Sequence, residues 1–438
     1  MTATTDAPPP AKSGHRLAFG ILFAVLMLAA SGNTALQAVL AVIGRKVGIQ
    51  DTLIVGVFSL SALAWTVVSG FWARRSDLHG RKAMVLVGVA GFGLSMLLFG
   101  AVVLAGLNGL IGAGATFVGM LAARSIYGFV GSAATPAAQA YVADRTERQH
   151  RVQALASLAS AVGLGTVIGP AIAPFLVLPV IGLAGPMMIF ALMGAVVWFA
   201  VARYLPAGDI PMGADGSRPT RATVPAAKNA WRDPRVRAFV GYGFLLTSCQ
   251  AINTQALAFQ VIDILKISAE RAEHFVGIAM MAGALATITA QQVLIPRFGT
   301  TPRSLMRWGA ACAAAGNALI AFAPDYYAVV MAYGLMTLGY GLARPGFTAG
   351  ASLAVGPQEQ GMVAGLMAAI NGACYVVGPL LGMALYQLWR PGPFLVNAGI
   401  LIALIVAAFL IRTLAQSGVE PASESAAEET SSANLPPA

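Results

Sequence analysis

Arg124 stands about thirteen residues into the apolar stretch 111–141, near mid-depth for a helix rising about 1.5 Å per residue. A guanidinium there costs at least about 2.5–3.5 kcal/mol on insertion scales, so such a residue normally faces a water-filled cavity or a partner. Its chemistry is recognition, through a planar, permanently charged fork of five N–H donors. Gly128, Gly131 and Thr135 follow at helical spacing and clear one face beside it. The expected partners are cavity water, Gln or Tyr side chains such as Gln37 and Tyr333, or a bound molecule. The competing reading is an arginine that merely hydrogen-bonds nearby backbone carbonyls, and the cost of the position weighs against it.

The elements that carry such a residue must be membrane helices. Of 438 residues, 58% are hydrophobic and 10% charged, against roughly 25% charged in a soluble domain. That shortage of charge excludes a conventional globular enzyme. Apolar runs of about 20 residues recur and suit a hydrocarbon core about 30 Å thick. The short alternating segments of a transmembrane β-barrel do not occur. The expected fold is an all-α polytopic membrane protein with twelve spans at 17–43, 52–73, 83–106, 111–141, 153–178, 185–205, 237–262, 272–295, 303–323, 326–347, 361–386 and 393–413. The first run is long, carries Asn33 and Gln37, and ends in no small-residue cleavage site, so it reads as a span rather than a signal peptide.

A net charge of +10 would suit nucleic acid, but its distribution argues for topology instead. Twenty Lys and Arg fall on the N-terminus, the even-numbered loops and the end of the last span; Arg45, Lys46, Lys266, Arg271 and Arg390 are the five on the other side. That asymmetry predicts both termini in the cytoplasm and no nucleic-acid partner. Cys249, Cys312 and Cys374 lie inside spans without ligand spacing, so neither a metal site nor a disulfide is expected. The absence of a phosphate-cradling G-x-x-x-x-G-K-S/T argues against ATP-driven transport and leaves no cofactor expected.

Residues 17–205 and 237–414 read as two six-helix halves joined by a Pro-, Gly- and Arg-rich linker over 206–236. Trp231–Arg237 could lie on the membrane surface as a short amphipathic helix. The ends, 1–16 and 415–438, read as disordered cytoplasmic segments. A gapless shift of 209 residues lays Pro136 on Pro345, Gly163 on Gly372, Gly169 on Gly378 and Pro170 on Pro379. The common offset and order point to duplication, the parallel-repeat plan of one class of secondary transporter.

Between the second and third spans the chain reads GFWARRSDLHGRK. Asp77, Gly80, Arg81 and Lys82 in that short basic loop resemble the loop between helices two and three of the major facilitator superfamily. Ala73 and Leu78 stand where that family usually has Gly and Arg. Arg124 with Gly128, Pro136, Tyr141 and Asp144 is similar to the fourth-helix motif of proton-coupled members, where the arginine is tied to proton transfer. Gly165-x-x-x-Gly169-Pro170 is similar to the fifth-helix motif of drug exporters, although Ala173 and Pro174 replace its closing Gly pair. Simple tight packing would also explain those glycines, while the matching Gly378-Pro379 favours a symmetric hinge pair.

The resemblance implies a central cavity lined by spans 1, 4, 7 and 10, and polar residues collect there. They are Asn33, Gln37, Gln139, Gln250, Asn253, Gln260, Tyr333, Tyr340 and Arg344. Each is read either as a contact to a transported molecule or as interhelical glue worth about 0.6 kcal/mol. Asn317 and Asn397 sit on spans expected to lie outside that cavity. No Asp or Glu stands at mid-depth; Asp51, Asp263, Glu270, Glu273 and Asp325 lie at the outer ends. This argues against a strongly cationic substrate, whose charge would want a buried counter-ion. The resemblance therefore implies a monomeric bacterial inner-membrane transporter, most similar to the tetracycline and multidrug exporters, driven by a proton gradient and moving a small molecule. Uptake of a small, anionic metabolite is the alternative, and a non-transporting sensor the remote one.

Overall fold

A computed structural model describes residues 12–146, 151–206, 233–267, 269–298, 301–355 and 360–415. The expected linker and both terminal segments thus fall almost wholly outside the described residues, as does Trp231. The protein is an all-α polytopic membrane protein, and helices occupy each of the twelve expected segments. In chain order they are α1 (Lys12–Val47), α2 (Asp51–His79), α3 (Arg81–Leu107), α4 (Ala113–Phe129), α5 (Ala134–Asp144), α6 (Arg151–Ile172) and α7 (Gly185–Tyr204). Then follow α8 (Arg237–Leu265), α9 (Ala269–Thr289), α10 (Ile295–Phe298), α11 (Pro302–Ala321), α12 (Tyr326–Leu353), α13 (Gln360–Leu388), α14 (Gly392–Leu410) and α15 (Arg412–Ala415). Among the described residues, eight helical stretches are long and apolar enough to cross a membrane on that ground alone.

Local chemistry sets the boundaries. Gly80, with φ near +88°, makes the sharp corner between α2 and α3, a conformation that only glycine adopts without a Cβ penalty. Thr301 and Asp325 cap α11 and α12 by accepting the backbone N–H of Ser304 and Ala328. The fourth expected span differs from a continuous helix: it splits into α4 and α5 around a tight turn at Gly131–Ala133. Pro136 lacks an N–H, and its ring crowds the carbonyl of Ser132, which favours a kink or break there. Likewise Pro296 follows a one-turn π-helical bulge at Ala290–Leu294 that separates α9 from α10.

Packing repeats itself along the chain. α1 packs on α6, α3 on α7 and α2 on α4 in the first half; α8 on α13, α11 on α14 and α9 on α12 are the corresponding pairs in the second. The two bundles meet mainly through α2 against α13 and α6 against α9, with α1 also touching α8 and α9. Broad apolar surface stays exposed on the outer flanks, for example Val196, Phe199, Leu381 and Phe409, as helices facing lipid require.

Candidate functional site

In the first half, Arg124 on α4 is 2% exposed and its Nη2 donates to Asn33 Oδ1 on α1. The guanidinium carbon also sits 4.7 Å from the centre of the Phe58 ring and 4.5 Å from that of Tyr127. Two aromatic faces, one from α2 and one from α4 itself, thus supply cation–π attraction to a charge taken out of water. Nε and Nη1 have no hydrogen-bond partner among the described residues. Buried donors in that state cost about 1–3 kcal/mol each, more when charged. Neither expected partner is the one found: Asn33 takes the place of Gln37 and Tyr333. Gln37 is buried on the same face of α1 one turn away, and Tyr333 is buried in the second half.

Tyr127 lies three residues after Arg124, so its contact was legible as a helical neighbour; Phe58, from α2, had no signal in the sequence. Tyr127 also stacks obliquely on Trp65 and edge-on to Phe92, with ring centres 5.4 and 5.9 Å away. A crevice opens beside these rings, lined also by Val25, Leu28 and Thr135.

The second half holds a neutral counterpart. Asn253 Nδ2 on α8 lies 2.9 Å from Asn317 Oδ1 on α11 and 2.8 Å from the Tyr340 hydroxyl on α12. Asn397 Nδ2 on α14 donates to Asn253 Oδ1 at 2.8 Å, and Asn317 Nδ2 to the Ala313 carbonyl at 2.8 Å. All four side chains are buried. Asn253 and Tyr340 therefore join one another inside the bundle, in the arrangement of interhelical glue. Asn317 and Asn397, which stood apart from the cavity-lining pattern, are their partners. Gln250 is half-buried and Gln139 exposed.

The loop motif closes on its own half. Arg81 Nε pairs with Asp144 Oδ2 at 2.9 Å, and its Nη1 donates to Ser76 at 3.2 Å. Lys82 Nζ donates to the Ala202 carbonyl at 2.8 Å, neutralising the carbonyl-rich end of α7. The Asp77 side chain lies outside the described residues. Gly165 and Gly169 let α6 lie directly on α1: an added Cβ would collide with the carbonyl oxygens of Met27 and Ser31. Pro170 and Pro379 sit inside α6 and α13. Gly378 faces Ile252 and Ser248 of α8 at ordinary contact distance, so the two Gly-Pro pairs occupy matching helices with unequal tightness.

The chain matches the Major Facilitator Superfamily over residues 22–289 and again over 244–435. It is 25% identical over 366 residues to multidrug resistance protein 1 of Bacillus subtilis, covering 81% of this chain and 85% of that protein. Its fold is similar to a bacterial homologue of the human lysosomal transporter Spinster, with a TM-score of 0.69 at 13% identity over 94% of this chain and all of the other. A human organic anion transporter gives a TM-score of 0.63 at 17% identity, with 91% of this chain and all of the other covered.

Proposed function

The chain belongs to the Major Facilitator Superfamily, and from that premise we propose proton-coupled efflux of a drug-like molecule by alternating access. It is a multi-pass membrane transporter. In our reading it works as a monomer in a bacterial inner membrane, with twelve crossings and both termini in the cytoplasm. Halves at 17–205 and 237–414 rock about a site between them, joined by the linker at 206–236. The likeness to a multidrug resistance protein over 81% of the chain supports export.

The observation that carries the mechanism is the buried Arg124 with two unpartnered nitrogens. A fixed, desolvated cation with spare donors is a place where a substrate acceptor or a water-borne proton relay gains most. The absence of mid-depth carboxylates makes a neutral or weakly acidic substrate the better fit. The same spare donors favour the second reading, uptake of a small organic anion, because a carboxylate oxygen would accept from either of them.

Purified protein in liposomes, with and without an imposed pH gradient, separates these readings. The export reading expects neutral or weakly acidic fluorescent dyes to move against their gradient, with a protonophore abolishing the movement. Movement of small carboxylic acids but no dye would favour uptake. Movement of neither class under any gradient would sink both readings.

A further inference from the structure

At the end opposite the basic loops, the two halves are tied by a charge cluster that the transport site does not use. Arg45 closes α1 and Asp51 opens α2, both in the first half. Arg45 Nε and Nη2 grip the two Asp51 oxygens at 3.2 and 2.8 Å, a bidentate fork. The remaining nitrogen, Nη1, reaches across to Asp263 Oδ1 of α8 at 2.6 Å. On the far side, Asp263 Oδ2 lies 2.9 Å from the Tyr386 hydroxyl and 3.5 Å from Arg390 Nε. Two cations and two carboxylates thus balance. The Arg45, Asp51 and Asp263 side chains are only 25%, 17% and 13% exposed, so salt screens them less than a surface pair. Thr52 adds an uncharged crossing to Gln387 Oε1 at 2.8 Å. At the same end Gly277 of α9 packs against Pro170 and Pro174 of the first half. At the opposite end, the Arg81–Asp144 and Lys82–Ala202 bonds lie within the first half.

We propose that Arg45 and Asp263 form an interdomain latch that must open before the cavity can face the side of the odd-numbered loops. Asp51 is the positioning residue: by holding two guanidinium nitrogens, it aims the third at the catch. Breaking the latch while keeping the fork removes a charge-assisted bond between halves and leaves each half intact. The inference rests on the alternating-access reading, and its test reads conformation separately from transport.

Spin labels at Leu110→Cys and Tyr327→Cys, in a chain whose three native cysteines are replaced, report the separation of the halves at this end. Both positions are exposed, at 77% and 78%. Asp263→Asn and Arg45→Gln should each raise the ratio of long to short distances about tenfold, as losing one charged hydrogen bond does to a two-state equilibrium. The double variant Arg45→Gln with Asp263→Asn should raise the ratio no further than either single, because both remove the same bond. If an uncharged variant does not fold, Asp263→Glu and Arg45→Lys keep the test readable, with a smaller rise expected. Unchanged distances in monodisperse variants, or a double variant whose rise is the product of its singles, would overturn the latch. Distances that shift while the wild-type chain moves no probe in liposomes would leave the latch standing and remove the transport reading.

Discussion

The two halves repeat one packing plan but spend their buried polarity differently. In the first, helices α1 and α4 bring a single charge, Arg124, against one amide and two rings, with two nitrogens left over. In the second, the corresponding helices α8 and α12 bring Asn253 to Tyr340, and α11 and α14 close the set with Asn317 and Asn397. Within that set the leftover atom is a side-chain carbonyl oxygen, Asn397 Oδ1, the cheaper kind of orphan; elsewhere on α8 the neutral Gln255 Nε2 donor also lacks a partner among the described residues. At the 209-residue offset, Tyr333 stands where the first half has Arg124. A network whose members mostly satisfy one another rigidifies a bundle; a buried charge with spare donors gains from any acceptor that reaches it. On the proposed function, ligand chemistry belongs to the first half and scaffold to the second.

The largest expected effect breaks the charged side. Arg124→Ala should lower transport by about ten- to a hundredfold, the loss of one or two charged hydrogen bonds, while thermal stability holds or rises because a buried charge is gone. Arg124→Lys should be nearly as impaired, since an ammonium lacks the planar fork. Liposome flux measured beside a melting curve checks both variants.

Next, Asn253→Leu should destabilise the protein by about 1–3 kcal/mol, because Asn317 and Asn397 lose their common partner. Flux per folded molecule should stay within about twofold if those amides only tie helices together. Asn33→Asp sharpens the contrast in a third way. A carboxylate beside Arg124 should raise the melting temperature and cut transport several-fold, stabilising the site while occupying its charge. The smallest effect belongs to Gln37→Ala, expected to leave flux within about twofold, since Asn33 holds the guanidinium instead.

Much of this was legible from the sequence. Helix positions followed from apolar length, and the burial of Arg124 inside the bundle from its cost in lipid. The corner at Gly80 lies in the basic loop that carried the family resemblance. What the sequence could not supply is axial offset between helices. Asn33 and Gln37 share a face one turn apart, and only the slide of α1 against α4 decides which of them is level with Arg124. The same gap hid the bond from Asn253 to Asn317 and Asn397, because polarity on one helix does not name its partner on another. Arg45 and Asp263 read as loop charges for the same reason: their bond spans 218 residues of chain. The broken fourth span was signalled by Pro136, whose clash with the preceding turn outweighed the apolar pattern.

The contrast between the halves is tested most directly by measuring flux and melting temperature side by side for Arg124→Ala and Asn253→Leu in the same lipid. Lost flux with retained stability for Arg124→Ala, and retained flux with a lower melting temperature for Asn253→Leu, is the predicted outcome. Wild-type flux from monodisperse Arg124→Ala, with unchanged pH dependence, would contradict it and make that arginine part of the scaffold.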